Sequence, residues 1–129
     1  MQKEASLFKA LSDQTRLRLV SILLFNGETC VCRLAQALNE PDFKISRHLG
    51  IMRSAGVVSA RREGTWMYYR IVKPRSIFEQ SCYEFLRKGM VNNHILKKDL
   101  QRLSKTSCSN PGSPARKNES TYLKRRNDI

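Results

Sequence analysis

TCVCRLAQALNEPDFKISRHLGIMR, residues Thr29 to Arg53, decides how the chain is read. It sets Cys30 and Cys32 at the start of a short helix, Cys30 to Leu38, which passes through a turn at Asn39 to Asp42 into a second, basic helix. Val31, Leu34, Ala35 and Leu38 fall near one face of the first helix, and Ile45, Leu49 and Met52 recur at helical spacing in the second. Two such stripes bury each other. Pro41 cannot continue the first helix, because its ring removes a backbone donor, yet it suits the entry of the next. The opposite face of the second helix, with Lys44, Ser46, Arg47 and His48, is then free to point outward. Helix, tight turn and basic helix is the layout of a helix-turn-helix DNA reader.

Composition agrees with that layout. The 129 residues fit one domain, and a hydrophobic content of 40% supplies a modest core. Lys and Arg number 24 against 11 Asp and Glu, a formal net charge of +13, which favours a polyanionic partner, most simply nucleic acid. No apolar run approaches the roughly 18 to 20 residues that span a bilayer. Met1 to Asp13 carries no signal-peptide pattern either. The expectation is a soluble cytoplasmic protein with no membrane association, whose four cysteines are thiols rather than a disulfide framework.

Outward from the central stretch, Leu7, Phe8, Ala10 and Leu11 read as one side of a short amphipathic helix ending near Ser12 and Asp13, either of which can cap the next. That next helix, Gln14 to Phe25, is apolar around most of its circumference and belongs at the centre of the core. Asn26 and Gly27 end it, and Thr29 is the expected N-cap of the cysteine helix. Beyond the basic helix, Gly56 is a left-handed stop and the period changes to two: Val58 and Ala60, then Met67, Tyr69 and Ile71, flank Arg61 to Thr65. This predicts a two-stranded hairpin with a basic tip, the wing of a winged helix. Trp66, Tyr68 and Tyr69 read as strand-packing aromatics rather than base-stacking ones.

Pro74 is expected to start the last long helix, whose stripe runs through Ile77, Phe78, Cys82, Phe85, Leu86 and Met90. After Gly89 the stripe resumes through Ile95, Leu96, Leu100 and Leu103, as a bend or a second helix. So much apolar surface on a small domain suggests a partner, and a second copy is the expected one. The predicted architecture is mainly α with a small β-hairpin, a homodimeric winged helix-turn-helix over residues 1–103, followed by a flexible basic tail at 104–129.

ETCVCRLAQALNEPDFKISRHLGIMRSAGVVSARREGTWMYYRI resembles the winged-helix core of the ArsR family, the arsenical-resistance repressors, and the likeness extends in layout from about Ala5 to Arg87. Its most specific parts are Cys-Val-Cys at a helix start, Lys-Ile-Ser-Arg-His-Leu in the recognition helix, and Arg-Arg-Glu-Gly-Thr-Trp in the wing. The resemblance implies a homodimeric repressor that leaves double-stranded operator DNA when As(III) or Sb(III), or an organoarsenical such as methylarsenite, binds its thiolates. Family members often carry a third cysteine three residues after the second. Here that position is Ala35.

Soft thiolates are what a thiophilic centre selects, and the unpaired amides of a helix first turn favour the thiolate anion. On an ideal helix, two-residue spacing separates side chains by about 200 degrees. Chelation by Cys30 and Cys32 is therefore expected to require unwinding or rotation of that turn. Cys82 reads as a core or interface residue before it reads as a ligand, while Cys108, in the tail, is either incidental or a mobile third ligand. Two histidines, His48 and His94, are too few for the zinc sites of some relatives. For DNA, Lys44, Ser46, Arg47 and His48 are expected in the major groove, with Arg61, Arg62 and Thr65 on the flanking backbone. The expected function is a DNA-binding repressor and not an enzyme. Alternatives are a thiol-redox switch on the same fold, a thiol oxidoreductase using the cysteine pair, and a nonspecific nucleic-acid coat.

Overall fold

The computed structural model describes residues 1–108, so most of the expected tail lies outside the described residues. Helix α1, Gln2–Leu11, leads through Ser12 and Asp13 into α2, Gln14–Asn26. Asp13 is the cap: its carboxylate accepts from the Arg16 amide at 3.1 Å. Gly27 closes α2 with its amide donating to the Leu23 carbonyl at 3.0 Å and its own φ at 87°, a conformation open to glycine.

The short strand β1, Thr29–Cys30, comes before helix α3, Val31–Leu38, and this corrects two expectations. The sheet has three strands rather than two, and Cys30, not Thr29, is the N-cap residue. Thr29 is occupied elsewhere. Its hydroxyl donates to the Gly27 carbonyl at 2.9 Å and accepts from the Asn26 amide at 3.0 Å, with the side chain fully buried.

Helix α3 ends on Asn39 in the left-handed region (φ 55°), and Pro41 then sits at the N-cap of α4, Asp42–Ser54. Strands β2, Val58–Glu63, and β3, Trp66–Ile71, form the wing. They pair antiparallel from Val58 opposite Ile71 to Glu63 opposite Trp66, which leaves Gly64 and Thr65 as a two-residue turn with Gly64 at positive φ. Strand β1 adds to the other edge of β3, Thr29 opposite Tyr69 and Cys30 opposite Tyr68, so the order is β1-β3-β2.

Helix α5, Ile77–Met90, starts after Ser76, whose hydroxyl accepts from the Glu79 amide at 3.1 Å. Pro74 therefore lies in the approach to α5 rather than at its first turn. The resumed stripe beyond Gly89 is a separate helix, α6, His94–Ser104, capped by the Asn93 side chain on the Leu96 amide at 3.0 Å. Helix α2 runs through the core with Leu19, Val20, Ile22, Leu23 and Leu24 almost inaccessible, and α5 and α6 pack on it. Helix α3 lies between α4 and α6. No helix among the described residues is long and apolar enough to cross a membrane.

Candidate functional site

Helix α4 buries Ile45, Leu49 and Met52 completely and so fixes which of its residues face out. Phe43, Ser46, Arg47 and Gly50 are all exposed and follow the i, i+3, i+4, i+7 spacing of a single helical face. Phe43, 71% exposed, was absent from the expected set, although the periodicity that selects Ser46 and Arg47 also selects it. Lys44 is only half-buried, but its ammonium is held 3.1 Å from Glu40. His48 does not point outward: it is half-buried beside the start of α2, with Nδ1 3.3 Å from the Arg16 guanidinium and 3.9 Å from the Asp13 carboxylate. Loss of water around the ring holds its pKa below the ordinary histidine value, outweighing the opposite pull of Asp13.

At the wing, Arg62 and Thr65 are exposed. Arg61 is clamped instead. Its guanidinium donates to the Glu28 carboxylate at 2.8 to 3.0 Å and to Glu63 at 3.0 Å, and lies 4.7 Å from the centre of the Tyr68 ring. The Glu28 bond, then the Glu63 bond, push its pKa up further. Arg61 thus ties the wing to the segment entering β1, two residues before Cys30.

The cysteines converge at that same junction. Cys30 is buried at the end of β1 and Cys32 is half-buried in the first turn of α3, yet their sulfurs are 3.3 Å apart. The expected need for unwinding fails because Cys30 stands outside the helix, at φ −81° and ψ 155°, so the helical angle between the two side chains does not apply. Cys108, described just beyond α6, completes the cluster. Its sulfur is 2.9 Å from that of Cys30 and in direct contact with that of Cys32, and the three lie within 4.8 Å of one another. Tyr68 and Trp66 wall the group. Three soft donors with no carboxylate or imidazole among them suit a thiophilic trivalent centre better than a hard cation. Cys82 lies apart on α5, where burial, then Glu79, push its thiol pKa up.

What delivers Cys108 is a polar frame that sequence spacing did not expose. Asp99 on α6 is fully buried and accepts from Arg18 of α2 at 2.9 and 2.8 Å and from Arg102 at 2.6 Å. Arg102 also donates to the Ala37 carbonyl of α3 at 2.6 Å. On the other side Arg33 of α3 donates to the Leu103 carbonyl at 3.1 Å and to the Thr106 hydroxyl at 2.8 Å. Helix α6 and the segment after it are therefore bound to α3, the helix that follows Cys30 and carries Cys32.

A helix-turn-helix with an exposed face on its second helix, a paired wing after it and a thiol cluster at the start of its first helix defines a winged-helix regulator of transcription. Residues 13–60 match the family described as bacterial regulatory protein, arsR family. The chain is 47% identical over 74 residues to an uncharacterised HTH-type transcriptional regulator of Methanocaldococcus jannaschii, covering 57% of this chain and 83% of that protein. It is 35% identical over 92 residues to the arsenical resistance operon repressor of Bacillus subtilis, covering 69% and 88%. Among solved structures it is similar to the homodimeric winged helix-turn-helix DNA-binding domain of a possible ArsR-family regulator from Mycobacterium bovis. There the TM-score is 0.58 and the identity 31%, over 70% of this chain and 77% of that one. The chain belongs to the ArsR family of transcriptional regulators. Its matches to arsenic regulators of Pseudomonas putida and Escherichia coli span only 56% of each relative.

Proposed function

We propose that this protein is a cytoplasmic homodimeric repressor, released from operator DNA when trivalent arsenic or antimony is bound by Cys30, Cys32 and Cys108. The observation that carries the reading is the three-sulfur cluster at the start of α3, the helix that packs directly on α4. Arsenic relatives by name support the choice of inducer, among them the Bacillus subtilis repressor. Each thiol exchanges for one hydroxyl of arsenous acid: an arsenic–sulfur bond forms, an arsenic–oxygen bond breaks, and the thiol proton leaves with the hydroxide as water. Three exchanges consume three thiols, whereas methylarsenite, with two hydroxyls, consumes two.

Operator contact belongs to Phe43, Ser46, Arg47 and Gly50 in the major groove, with Arg62 and Thr65 of the wing on the backbone. A second copy would cover Phe8 of α1 and Ile77 and Phe85 of α5, large apolar side chains left at least half exposed. The homodimeric Mycobacterium bovis domain supports that assembly, which would set two α4 helices on half-sites about one DNA turn apart. The Cys32–Cys108 sulfur contact favours a second reading, in which oxidation of that pair is itself the signal. A footprint on operator DNA, repeated with arsenite, antimonite, methylarsenite, zinc and, separately, peroxide, decides between them. Loss of a sequence-selective footprint with trivalent arsenic under a reducing agent supports the metalloid reading. Loss with peroxide alone favours the redox switch, and a footprint indifferent to sequence would sink both.

A further inference from the structure

We infer that Arg33 is the positioning residue that brings Cys108 to the α3 pair, and so sets the preference of the site for a ligand taking three thiolates over one taking two. The inference rests on the metalloid reading above. Arg33 stands on α3 next to Cys32, and its forked guanidinium holds both the end of α6, through the Leu103 carbonyl at 3.1 Å, and the segment beyond it, through the Thr106 hydroxyl at 2.8 Å. Thr106 is fixed a second time by its own hydroxyl on the Leu103 carbonyl at 2.7 Å. Cys108 is only two residues further on, so its Cα cannot stray more than about 7 Å from that of an anchored Thr106. Its sulfur meets Cys30 at 2.9 Å.

Without Arg33 the tether loses its direct link to α3 and keeps Thr106's own bonds to the Leu103 carbonyl. Helix α6 itself stays docked, because Arg18, Asp99 and Arg102 hold it to α2 and α3 independently. The local concentration of the third thiol then falls, and the Cys30–Cys32 pair is untouched. Arsenite, which takes three thiolates, feels the loss. Methylarsenite, which takes two, does not.

The test compares the parent with Arg33→Ala, Arg33→Lys and Thr106→Val by titrating reduced protein with arsenite and with methylarsenite. Arg33→Ala should weaken arsenite binding roughly tenfold or more and leave methylarsenite within about twofold, since only the tethered ligand is affected. Arg33→Lys keeps the charge but not the fork and should behave like Arg33→Ala, with Thr106→Val following in the same direction. A readout free of arsenic uses chains also carrying Cys30→Ser and Cys82→Ser, with diamide as oxidant. The Cys32 and Cys108 thiols lose two protons and two electrons, the diazene takes them up as a hydrazine, and a disulfide forms. Closure should slow in Arg33→Ala. Equal arsenite affinity and equal closure rates overturn the inference, as does a parallel loss of both arsenicals, which would mark Arg33 as support for the pair. A parent that binds neither arsenical, together with slowed closure in Arg33→Ala, upholds the positioning and overturns the metalloid reading.

Discussion

Cys30 stands one residue outside α3, and that offset is what brings the two sulfurs of a Cys-x-Cys motif within 3.3 Å of each other. The types of residue that gather here are plain in the sequence, but the backbone conformation at Cys30 is not, because it depends on Thr29 and Cys30 pairing with β3 almost forty residues later. A similar limit applies to α4. Ser46 and Arg47 are exposed as expected from spacing alone, whereas the turning back of Lys44 to Glu40 and of His48 toward α2 follows from neighbours that spacing does not show. On the proposed reading, the exposed face offers Arg47 and Phe43 for base contact. If Arg47 reads guanine, Arg47→Ala should cost about 1 to 3 kcal/mol of operator affinity and relax base preference. Phe43→Ala should weaken binding to an operator with thymine at the facing step and lose the difference between that operator and one with uracil there, as measured by competition binding; unchanged discrimination in both variants would remove them from the reading face.

Between elements, the joint of α2 with α4 is built from Asp13, Arg16 and His48. Asp13 caps α2, and the Arg16 amide that it accepts from is the chief cause of its lowered pKa. His48 is lowered below 6.5, first by loss of solvent, so the unfolded chain binds its proton more readily than the folded one does. Its contribution is fully present above pH 6.5 and is lost as pH falls through the lower folded value. The Asp13 contribution, whose reference value is 3.8, persists through that window. Thermal unfolding of the DNA-free protein between about pH 7.5 and about pH 5 should show a decline that His48→Gln flattens; parallel curves for the two proteins would remove His48 as its cause. The helices themselves were legible from periodicity in α1, α2, α3 and α4 and from the Asp13 cap of α2, whereas the cap expected of Thr29 falls to Cys30 because Thr29 is bound to Gly27 and Asn26. The two-residue strand β1 has no period to show, and Pro74 misled because Ser76, two residues on, supplies the side-chain cap that starts α5.

Across the whole molecule the charge, the wing and the helix pair were visible as a DNA-binding design, while the third thiol was placed by contacts spread over three helices. Asp99 illustrates why. Its spacing from His94 carries no signal, yet it is the fully buried acceptor that ties α6 to α2 and, through Arg102, to α3. On the proposed reading, that frame couples a ligand at Cys108 to α3, which packs on α4, so a ligand that prefers a different arrangement of the thiols would weaken DNA binding in proportion to that preference. The most direct measurement is the anisotropy of labelled operator DNA titrated with reduced parent protein and with Cys30→Ser/Cys32→Ser, each with and without arsenite. The parent should lose roughly 5- to 150-fold in affinity when arsenite is present, and the variant should bind equally well in both conditions. Release of DNA from the variant by arsenite, or retention of DNA by a parent shown by mass spectrometry to carry arsenic, would contradict the account.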